Sequence, residues 1–246
     1  MTTDRPVAVL SDTAHYVGPA LARLLAPTHD LVVGDPEDGL VAELEASGAA
    51  VATVAGVRDL ARPDATEELV AAALDTFGRL DAAAAFTGAI VVGRFLRSSV
   101  EDLRTVMTGC VEAPYHFLHG VVPAMIERGG GQILLFTSAA GARPTPGAPL
   151  YSTARAAANM LVRNVAAEVV DRNVQINAIG TNFMDFPAFL AANRVNDDEG
   201  RARVEAMVPM GRLGQLDELA HLALPFVDGT SRFTTGQFVG FAGGWV

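Results

Sequence analysis

The chain has 246 residues, half of them hydrophobic, which suffices to bury one sizeable core within one domain. Its formal charge is −10, from 18 Lys and Arg against 28 Asp and Glu, and no basic stripe offsets it. Such a surface repels phosphate backbones, so we expect no nucleic-acid partner. The single cysteine, Cys110, cannot form an intramolecular disulfide, which favours a reducing compartment.

Nothing in the sequence resembles a targeting or membrane segment. The first residues, Met-Thr-Thr-Asp-Arg-Pro, lack the apolar core of a signal peptide. The most apolar stretch, between residues 80 and 92, is too short to span a bilayer and contains Asp81. These features predict a cytoplasmic protein that does not bind membranes.

Short apolar runs alternate with stretches of helical periodicity along the whole chain. The predicted strands are Pro6–Leu10, Leu31–Val33, Val51–Val54, Asp81–Phe86, Gln132–Thr137, Val174–Ile179 and Gln237–Phe241. The predicted helices are Tyr16–Leu25, Asp64–Phe77, Val100–Glu127 with a break near Gly109, Leu150–Val170 and Leu216–Pro225. This alternation predicts one α/β domain over residues 1–246, a Rossmann-like doubly wound parallel sheet. Ligands of such sheets bind beyond the carboxyl ends of the strands, so the loops after Leu10, Thr137 and Ile179 are candidate sites.

The loop after the first predicted strand lacks the glycines that let backbone amides approach a pyrophosphate. Asp12 stands where the first glycine of a T-G-x-x-x-G-x-G pattern belongs, Tyr16 replaces the second, and only Gly18 remains. A carboxylate repels a pyrophosphate and a tyrosyl ring fills the volume that the cofactor needs. The sequence therefore predicts that no dinucleotide binds. Asp35, at the usual place of a ribose-binding acid, is then interpreted as a turn residue before Pro36.

A second candidate site combines the end of the fifth predicted strand with the helix that follows it. Tyr151 and Arg155 are four residues apart and share one helical face, and Ser138 ends the buried strand before them. A permanent cation next to a phenol favours the phenolate, and arginine stays protonated in any environment. Taken alone, the pair is equally compatible with a surface phenol and its solvated neighbour. The spacing from Ser138 favours a catalytic serine, tyrosine and arginine.

The spacing S-x12-Y-x3-R resembles the short-chain dehydrogenase/reductase pattern, with arginine in place of the usual lysine. The loop Ser11-x4-Tyr16-x-Gly18 resembles the T-x4-[F/Y]-x-G motif of halohydrin dehalogenases, which are cofactor-independent relatives of those reductases. Ser11 keeps the hydroxyl of the family's threonine. Residues 180–187 and 243–245 also resemble the halohydrin dehalogenases, especially their G-type branch. The resemblance covers essentially the whole chain.

The resemblance implies a lyase that reversibly converts vicinal haloalcohols to epoxides and opens epoxides with azide, cyanide or nitrite. In that chemistry Ser138 holds the substrate oxygen, Tyr151 accepts or returns the proton, and Arg155 favours the Tyr151 phenolate. The family also implies a homotetramer with small-molecule partners and no cofactor or metal. Thr87 stands where some halohydrin dehalogenases have an aspartate that contacts the arginine, which leaves that contact unsupported. Cys110 replaces the catalytic asparagine of the reductases.

Two pockets follow from the same resemblance. A halide or nucleophile is expected to lie in a nest of backbone amides with aromatic walls, formed by Tyr16, Thr181, Asn182, Phe183 and Met184. The substrate pocket is expected to include Gly88, Phe186 and Phe189. The alternative for Phe183 and Met184 is ordinary core packing.

Other interpretations stay open. One is an NAD(P)-dependent short-chain oxidoreductase with a degenerate cofactor loop, and another is a non-catalytic ligand-binding or scaffolding relative. Residues 183–200 are long enough to form a lid, and the acidic run 197–199 within them is interpreted as a solvated loop. His116 and His119 have metal-ligand spacing, but without further ligands we expect no metal there.

Overall fold

The computed structural model describes residues 4–246, so residues 1–3 and the prediction of a missing signal peptide lie outside it. Seven described strands form one parallel sheet in the order β3-β2-β1-β4-β5-β6-β7. Their bounds are β1 Val7–Leu10, β2 Asp30–Gly34, β3 Val51–Val54, β4 Ala82–Phe86, β5 Gly131–Ser138, β6 Val174–Thr181 and β7 Phe238–Phe241. The order reverses between β1 and β4, which confirms the predicted doubly wound α/β domain.

Helices cover both faces of the sheet. Their bounds are α1 Gly18–Leu25, α2 Leu40–Ala46, α3 Pro63–Phe77, α4 Val100–Met107, α5 Ala113–Arg128, α6 Pro149–Val169, α7 Pro187–Ala192, α8 Asp198–Glu205 and α9 Leu216–Ala223. One core cluster joins α3, α5 and α6 to the sheet, and a second joins α1, α2 and α9 to its other face. No helix within residues 4–246 is long and apolar enough to cross a membrane.

Strand β4 shows why the sheet is stable despite weak local propensity. Ala82, Ala83, Ala84 and Ala85 are fully or almost fully buried, and the strand pairs with β1 on one side and β5 on the other. Alanine is a poor strand former, but β-propensity largely measures packing against neighbours. The position between two strands therefore decides the conformation of this segment.

The structure differs from the predicted helices at α2 and near Gly109. Helix α2 was not predicted, because it has only seven residues. The predicted break near Gly109 is instead a π-helical turn at Thr108–Glu112 that joins α4 to α5 without interrupting the helical path. The π-turn places Gly109 against Ala89, where an added Cβ would come within 2.6 Å of the Ala89 amide nitrogen.

The acidic run at residues 197–199 is not a loop. Asp197 caps α8, since its carboxylate accepts a hydrogen bond from the Gly200 amide at 2.7 Å. Asp198 and Glu199 lie in the first turn of the same helix, where their negative charges interact favourably with the helix dipole. The segment predicted as a lid therefore consists of the two short helices α7 and α8.

Candidate active site

The three predicted catalytic side chains lie at the carboxyl end of the sheet. Ser138 is the last residue of β5, while Tyr151 and Arg155 lie one turn apart near the start of α6, and all three are buried. The Arg155 Nε atom donates a hydrogen bond to the Tyr151 hydroxyl at 3.1 Å. Its guanidinium carbon lies 5.2 Å from the centre of the Tyr151 ring. Helix α6 thus places the positively charged Arg155 guanidinium next to the Tyr151 hydroxyl oxygen.

The turn after Ser138 packs directly on α6. Ser152 donates from its hydroxyl to the Ala140 carbonyl oxygen at 2.7 Å. Gly141 lies so close to the backbone of Arg155 that an added Cβ would come within 2.7 Å of it. The Ser138 hydroxyl accepts the Ala140 amide at 3.1 Å and donates weakly to the Thr181 carbonyl oxygen at 3.3 Å. A substrate oxygen that replaces the second, weaker bond would receive a proton donor already oriented by the turn.

A buried polar pair adds a second link between β5 and α6. The Thr137 hydroxyl donates to the Asn159 side-chain oxygen at 2.8 Å. Asn159 lies one turn after Arg155 on α6, so this bond fixes the helix relative to the strand that carries Ser138. Sequence reasoning did not single out this pair, because the two residues are separated by 22 positions.

The other side of Arg155 faces the loop after β4. Its Nη2 atom donates to the Thr87 carbonyl oxygen at 2.5 Å, and Nη1 lies 3.4 Å from the Thr87 hydroxyl. The contact that the resemblance left unsupported is therefore present, with a backbone carbonyl and a hydroxyl in place of a carboxylate. Cys110 takes no part in it, since its buried thiol faces the Ala89 carbonyl oxygen at 3.5 Å.

Tyr16 crosses from the loop after β1 to the end of β6. Its backbone has a φ of +56°, the left-handed region that favours glycine, and its hydroxyl donates to the Thr181 hydroxyl at 2.6 Å. The ring packs edge-on against Phe86 and Phe136 and lies 5.0 Å from Phe186. Burial raises the pKa of Tyr16 far above its ordinary value, which keeps this phenol neutral and leaves Tyr151 as the acid–base candidate.

Asp12 is buried in the same loop and its charge is compensated locally. The carboxylate lies 3.0 Å from the Arg58 guanidinium, 3.3 Å from His15, and accepts the Ala14 amide at 3.0 Å. Asp35, in contrast, accepts three backbone amides of residues 56–58 and has a φ of +42°. Its carboxylate thus holds the loop after β3, in line with its interpretation as a turn residue.

The contacts of Asp12 and Tyr16 determine how much of the dinucleotide-binding glycine pattern the loop after β1 retains. Gly18 keeps the close packing of helix on strand, since a Cβ there would lie 2.0 Å from the Asp12 carbonyl oxygen. The other two glycine positions hold the Asp12 carboxylate and the Tyr16 ring, and the carboxylate of Asp35 is engaged with backbone amides. In this conformation two of the three glycine positions of the dinucleotide pattern therefore hold larger side chains, one of them a buried carboxylate.

Two amides of the nest predicted at the end of β6 already have hydrogen-bond acceptors. The Asn182 amide donates to the Phe241 carbonyl oxygen at 3.3 Å, and the Phe183 amide donates to the Asn182 side-chain oxygen at 2.9 Å. Phe183 and Met184 are only 4% and 2% exposed and belong to core clusters, as the packing alternative predicted. Thr181 is held by Tyr16 and by the sheet.

The expected substrate-pocket residues separate into two groups. Gly88 lies against the Arg155 guanidinium, whereas Phe186 and Phe189 lie on the α7 side with their ring centres 6.4 Å apart. The segment that carries them is anchored by Asp185, which pairs with Arg201 at 2.5 Å. This hydrogen bond lowers the pKa of the Asp185 carboxyl.

An open cavity of about 320 Å³ lies beyond the ends of β6 and β7, lined by Asn182, Phe183, Val208, Met210, Arg212, Gly214, Glu218, Gly240, Phe241, Ala242, Gly243 and Gly244. None of the three catalytic candidates lines it. The cavity is therefore distinct from the site of these three residues, although Asn182 and Phe183 of the predicted nest line it.

His116 and His119 do not form a metal centre with other side chains of the described chain. Tyr115 lies against both imidazoles, with ring centres 5.4 and 5.5 Å away. No group of three or more His, Cys, Asp or Glu side chains in residues 4–246 is placed to hold a metal ion.

The fold and the serine–tyrosine–arginine site define the class as short-chain dehydrogenase/reductase. Residues 17–246 match the Enoyl-(Acyl carrier protein) reductase family of that superfamily, and the chain belongs to it. A 2,5-dichloro-2,5-cyclohexadiene-1,4-diol dehydrogenase of Sphingobium indicum is 28% identical over 97% of this chain and 95% of its own. A 3-oxoacyl-[acyl-carrier-protein] reductase of Thermotoga maritima is 27% identical over the full length of both chains. The solved structure of a levodione reductase has the same fold, with a TM-score of 0.84, 22% identity and coverage of 99% and 98%.

These comparisons correct the expected reaction class. The relatives named above are dehydrogenases and reductases, and none of them is a halohydrin dehalogenase. The interpretation of the chain as a cofactor-independent lyase of the halohydrin dehalogenase class is therefore wrong at the level of the family, which is one of oxidoreductases. The short-chain dehydrogenase/reductase pattern that carried the catalytic assignment agrees with the family.

Proposed function

We propose that this chain is an enzyme of the oxidoreductase class that acts on a small hydroxyl- or carbonyl-bearing substrate. Tyr151 exchanges a proton with the substrate oxygen, Ser138 holds that oxygen, and Arg155 favours the Tyr151 phenolate. The observation that carries the proposal is the 3.1 Å hydrogen bond from Arg155 to the Tyr151 hydroxyl within a buried site. A non-catalytic binding protein has no need of a phenol paired with a buried cation.

The direction of proton transfer follows from the charges. When a hydroxyl substrate loses its proton, Tyr151 in its phenolate form accepts it, and Arg155 then faces a neutral phenol. When a carbonyl oxygen develops negative charge, the Tyr151 hydroxyl supplies the proton and Arg155 stabilises the phenolate that remains. Ser138 donates a hydrogen bond to the same oxygen in both directions, in place of its weak bond to Thr181.

Oxidation or reduction at the adjacent carbon is the reaction that the names of the relatives favour. A nicotinamide supplies or accepts the hydride in such a reaction when it is bound. Because Asp12 and Tyr16 occupy two glycine positions of the loop that would hold that cofactor, the proposal assigns only the proton-transfer half to named residues.

The experiment measures binding and turnover together. Purified protein is titrated with NADH and NADPH, and ketones and secondary alcohols are assayed with the matching reduced or oxidised dinucleotide. The double variant Asp12→Gly with Tyr16→Gly, which restores the glycine pattern, serves as the positive control for binding. We expect turnover in the natural chain that is lost in Tyr151→Phe with the fold intact.

Two outcomes contradict the proposal. The first is that neither dinucleotide binds the natural chain while the double variant binds both, with no turnover across the panel. The second is release of halide from a vicinal haloalcohol without nicotinamide, abolished in Tyr151→Phe, because that reaction belongs to the lyase class rejected above.

The partners are proposed on the same basis: a small-molecule substrate and further copies of this chain, as a homotetramer. The exposed apolar side chains of Val100, Leu103 and Tyr115 on α4 and α5, and of Met160 on α6, support self-association. Light scattering after size-exclusion chromatography checks this, with a monomeric mass as the contrary result.

A further inference from the structure

The guanidinium of Arg155 is held in a fixed orientation by the loop after β4. Its Nε atom bonds Tyr151, while Nη2 and Nη1 are directed at the carbonyl and hydroxyl oxygens of Thr87, at 2.5 and 3.4 Å. Any rotation of the planar guanidinium would break these contacts. A lysine ammonium is a compact point charge and has no such plane to fix.

The next residue, Gly88, leaves the space that the guanidinium occupies. A Cβ added at Gly88 would lie 1.8 Å from Arg155 Nη2 and 2.7 Å from its Cζ atom, far inside van der Waals contact. The backbone there has a φ of +140°, which side chains rarely adopt. Gly88 thus has two separate reasons to be glycine, one of conformation and one of space.

The same loop contains a matched glycine that has only the first reason. Gly93 has a φ of +154°, close to that of Gly88, but an added Cβ there meets no atom within 4 Å. A comparison of the two positions therefore separates backbone strain from the contact with Arg155.

We propose that Thr87 and Gly88 are positioning residues that aim the Nε atom of Arg155 at the Tyr151 hydroxyl. This inference rests on the proposed function, because it assigns the loop after β4 a role in the proton transfer by Tyr151. Gly88 is then part of the arginine site and not of the substrate pocket. Arginine suits the position of the family's usual lysine because the oxygens of Thr87 and Tyr151 accept hydrogen bonds from one planar guanidinium group.

The test compares Gly88→Ala with Gly93→Ala. The atoms that the new methyl group would displace belong to the Arg155 side chain and not to the backbone, so the guanidinium moves while the backbone path is kept. We expect Gly88→Ala to lose about a hundredfold in turnover, the scale of a misplacement by about 1 Å. We also expect its pH–rate profile to move to higher pH. Gly93→Ala should match the natural chain in both, and cooperative unfolding of both variants in urea verifies that each is folded.

A second pair of variants leaves the glycine unchanged. Thr87→Val removes the hydroxyl that faces Nη1 but retains the carbonyl oxygen, so it should lose less activity than Gly88→Ala. Thr87→Ser restores the hydroxyl and should recover that loss. Equal turnover and equal pH–rate profiles in Gly88→Ala and Gly93→Ala would overturn the inference.

A readout without substrate separates failure of the inference from failure of the proposed function. The near-ultraviolet phenolate band of Tyr151, isolated by subtraction of the Tyr151→Phe spectrum, is followed against pH. In Gly88→Ala the band should appear at higher pH than in Gly93→Ala, and no difference would overturn the inference whatever the reaction is. Unchanged turnover in Tyr151→Phe, in contrast, would overturn the proposed function alone.

Discussion

The backbone of Tyr16 predicts that glycine is a better replacement than alanine at this position. Both substitutions remove the ring that packs on Phe86, Phe136 and Phe186, and both remove the hydroxyl bonded to Thr181. The ring is partly buried, so its loss costs about 3 kcal/mol, and the hydrogen bond adds about 1 kcal/mol. These losses are common to the two variants and cancel in their comparison.

What differs between the two variants is the cost of the left-handed backbone. A φ of +56° costs alanine roughly 1–2 kcal/mol relative to glycine. Glycine loses about 0.4–1 kcal/mol more than alanine in conformational entropy on folding. The midpoints of these two ranges leave Tyr16→Gly more stable than Tyr16→Ala by about 0.8 kcal/mol.

Urea denaturation of the two variants measures this difference in the free energy of unfolding. Ala71→Gly, at an exposed position in the middle of helix α3, is the control, because there glycine should be the less stable residue by about 0.5–1 kcal/mol. If Tyr16→Ala proved as stable as Tyr16→Gly or more so, the left-handed conformation of the backbone at residue 16 would be refuted.

Three further predictions test packing, charge and the identity of the cation. Gly18→Ala should destabilise the fold by about 2 kcal/mol or more in urea denaturation, because its Cβ would meet the Asp12 carbonyl oxygen at 2.0 Å; a loss below about 0.5 kcal/mol would contradict that contact. Arg212 lowers the pKa of Glu218 from 4.5 to about 2, so the stability that this pair contributes is present above pH 4.5 and lost as pH falls towards 2. The stability difference between the natural chain and Glu218→Gln should therefore be small and constant above pH 4.5 and should shrink below it; a difference that grows on acidification would contradict the sign. Arg155→Lys should lose roughly tenfold or more in turnover without loss of fold, because an ammonium cannot bond Tyr151 and Thr87 in one plane, and natural turnover would argue against the role of that plane.

The positions of the three candidate catalytic side chains were predictable because they follow from local periodicity. Ser138 ends an apolar strand, and Tyr151 and Arg155 share a helical face, so the strand and the helix bring them to one end of the sheet. The link from Arg155 to Thr87 was not predictable in the same way. It spans 68 residues and uses a backbone carbonyl oxygen, which every residue type carries.

The acceptors of two amides in the predicted nest are not visible in a sequence pattern. The side chain of Asn182 folds back on the next amide, and the strand partner at Phe241 takes another, so neither donor is free. The predicted reaction class was wrong because it relied on short motifs. The residues around Tyr16 show only which side chains occupy the place of a cofactor loop, whereas the family match extends over residues 17–246.

The central claim is that Tyr151, paired with Arg155, transfers the proton. The most direct measurement is the turnover of Tyr151→Phe relative to the natural chain on the substrate identified by the panel, with urea denaturation to verify the fold. The claim predicts a loss of at least about a hundredfold, the lower end of what a positioned acid–base group supplies. Turnover within about twofold of the natural chain in a folded Tyr151→Phe protein would contradict it.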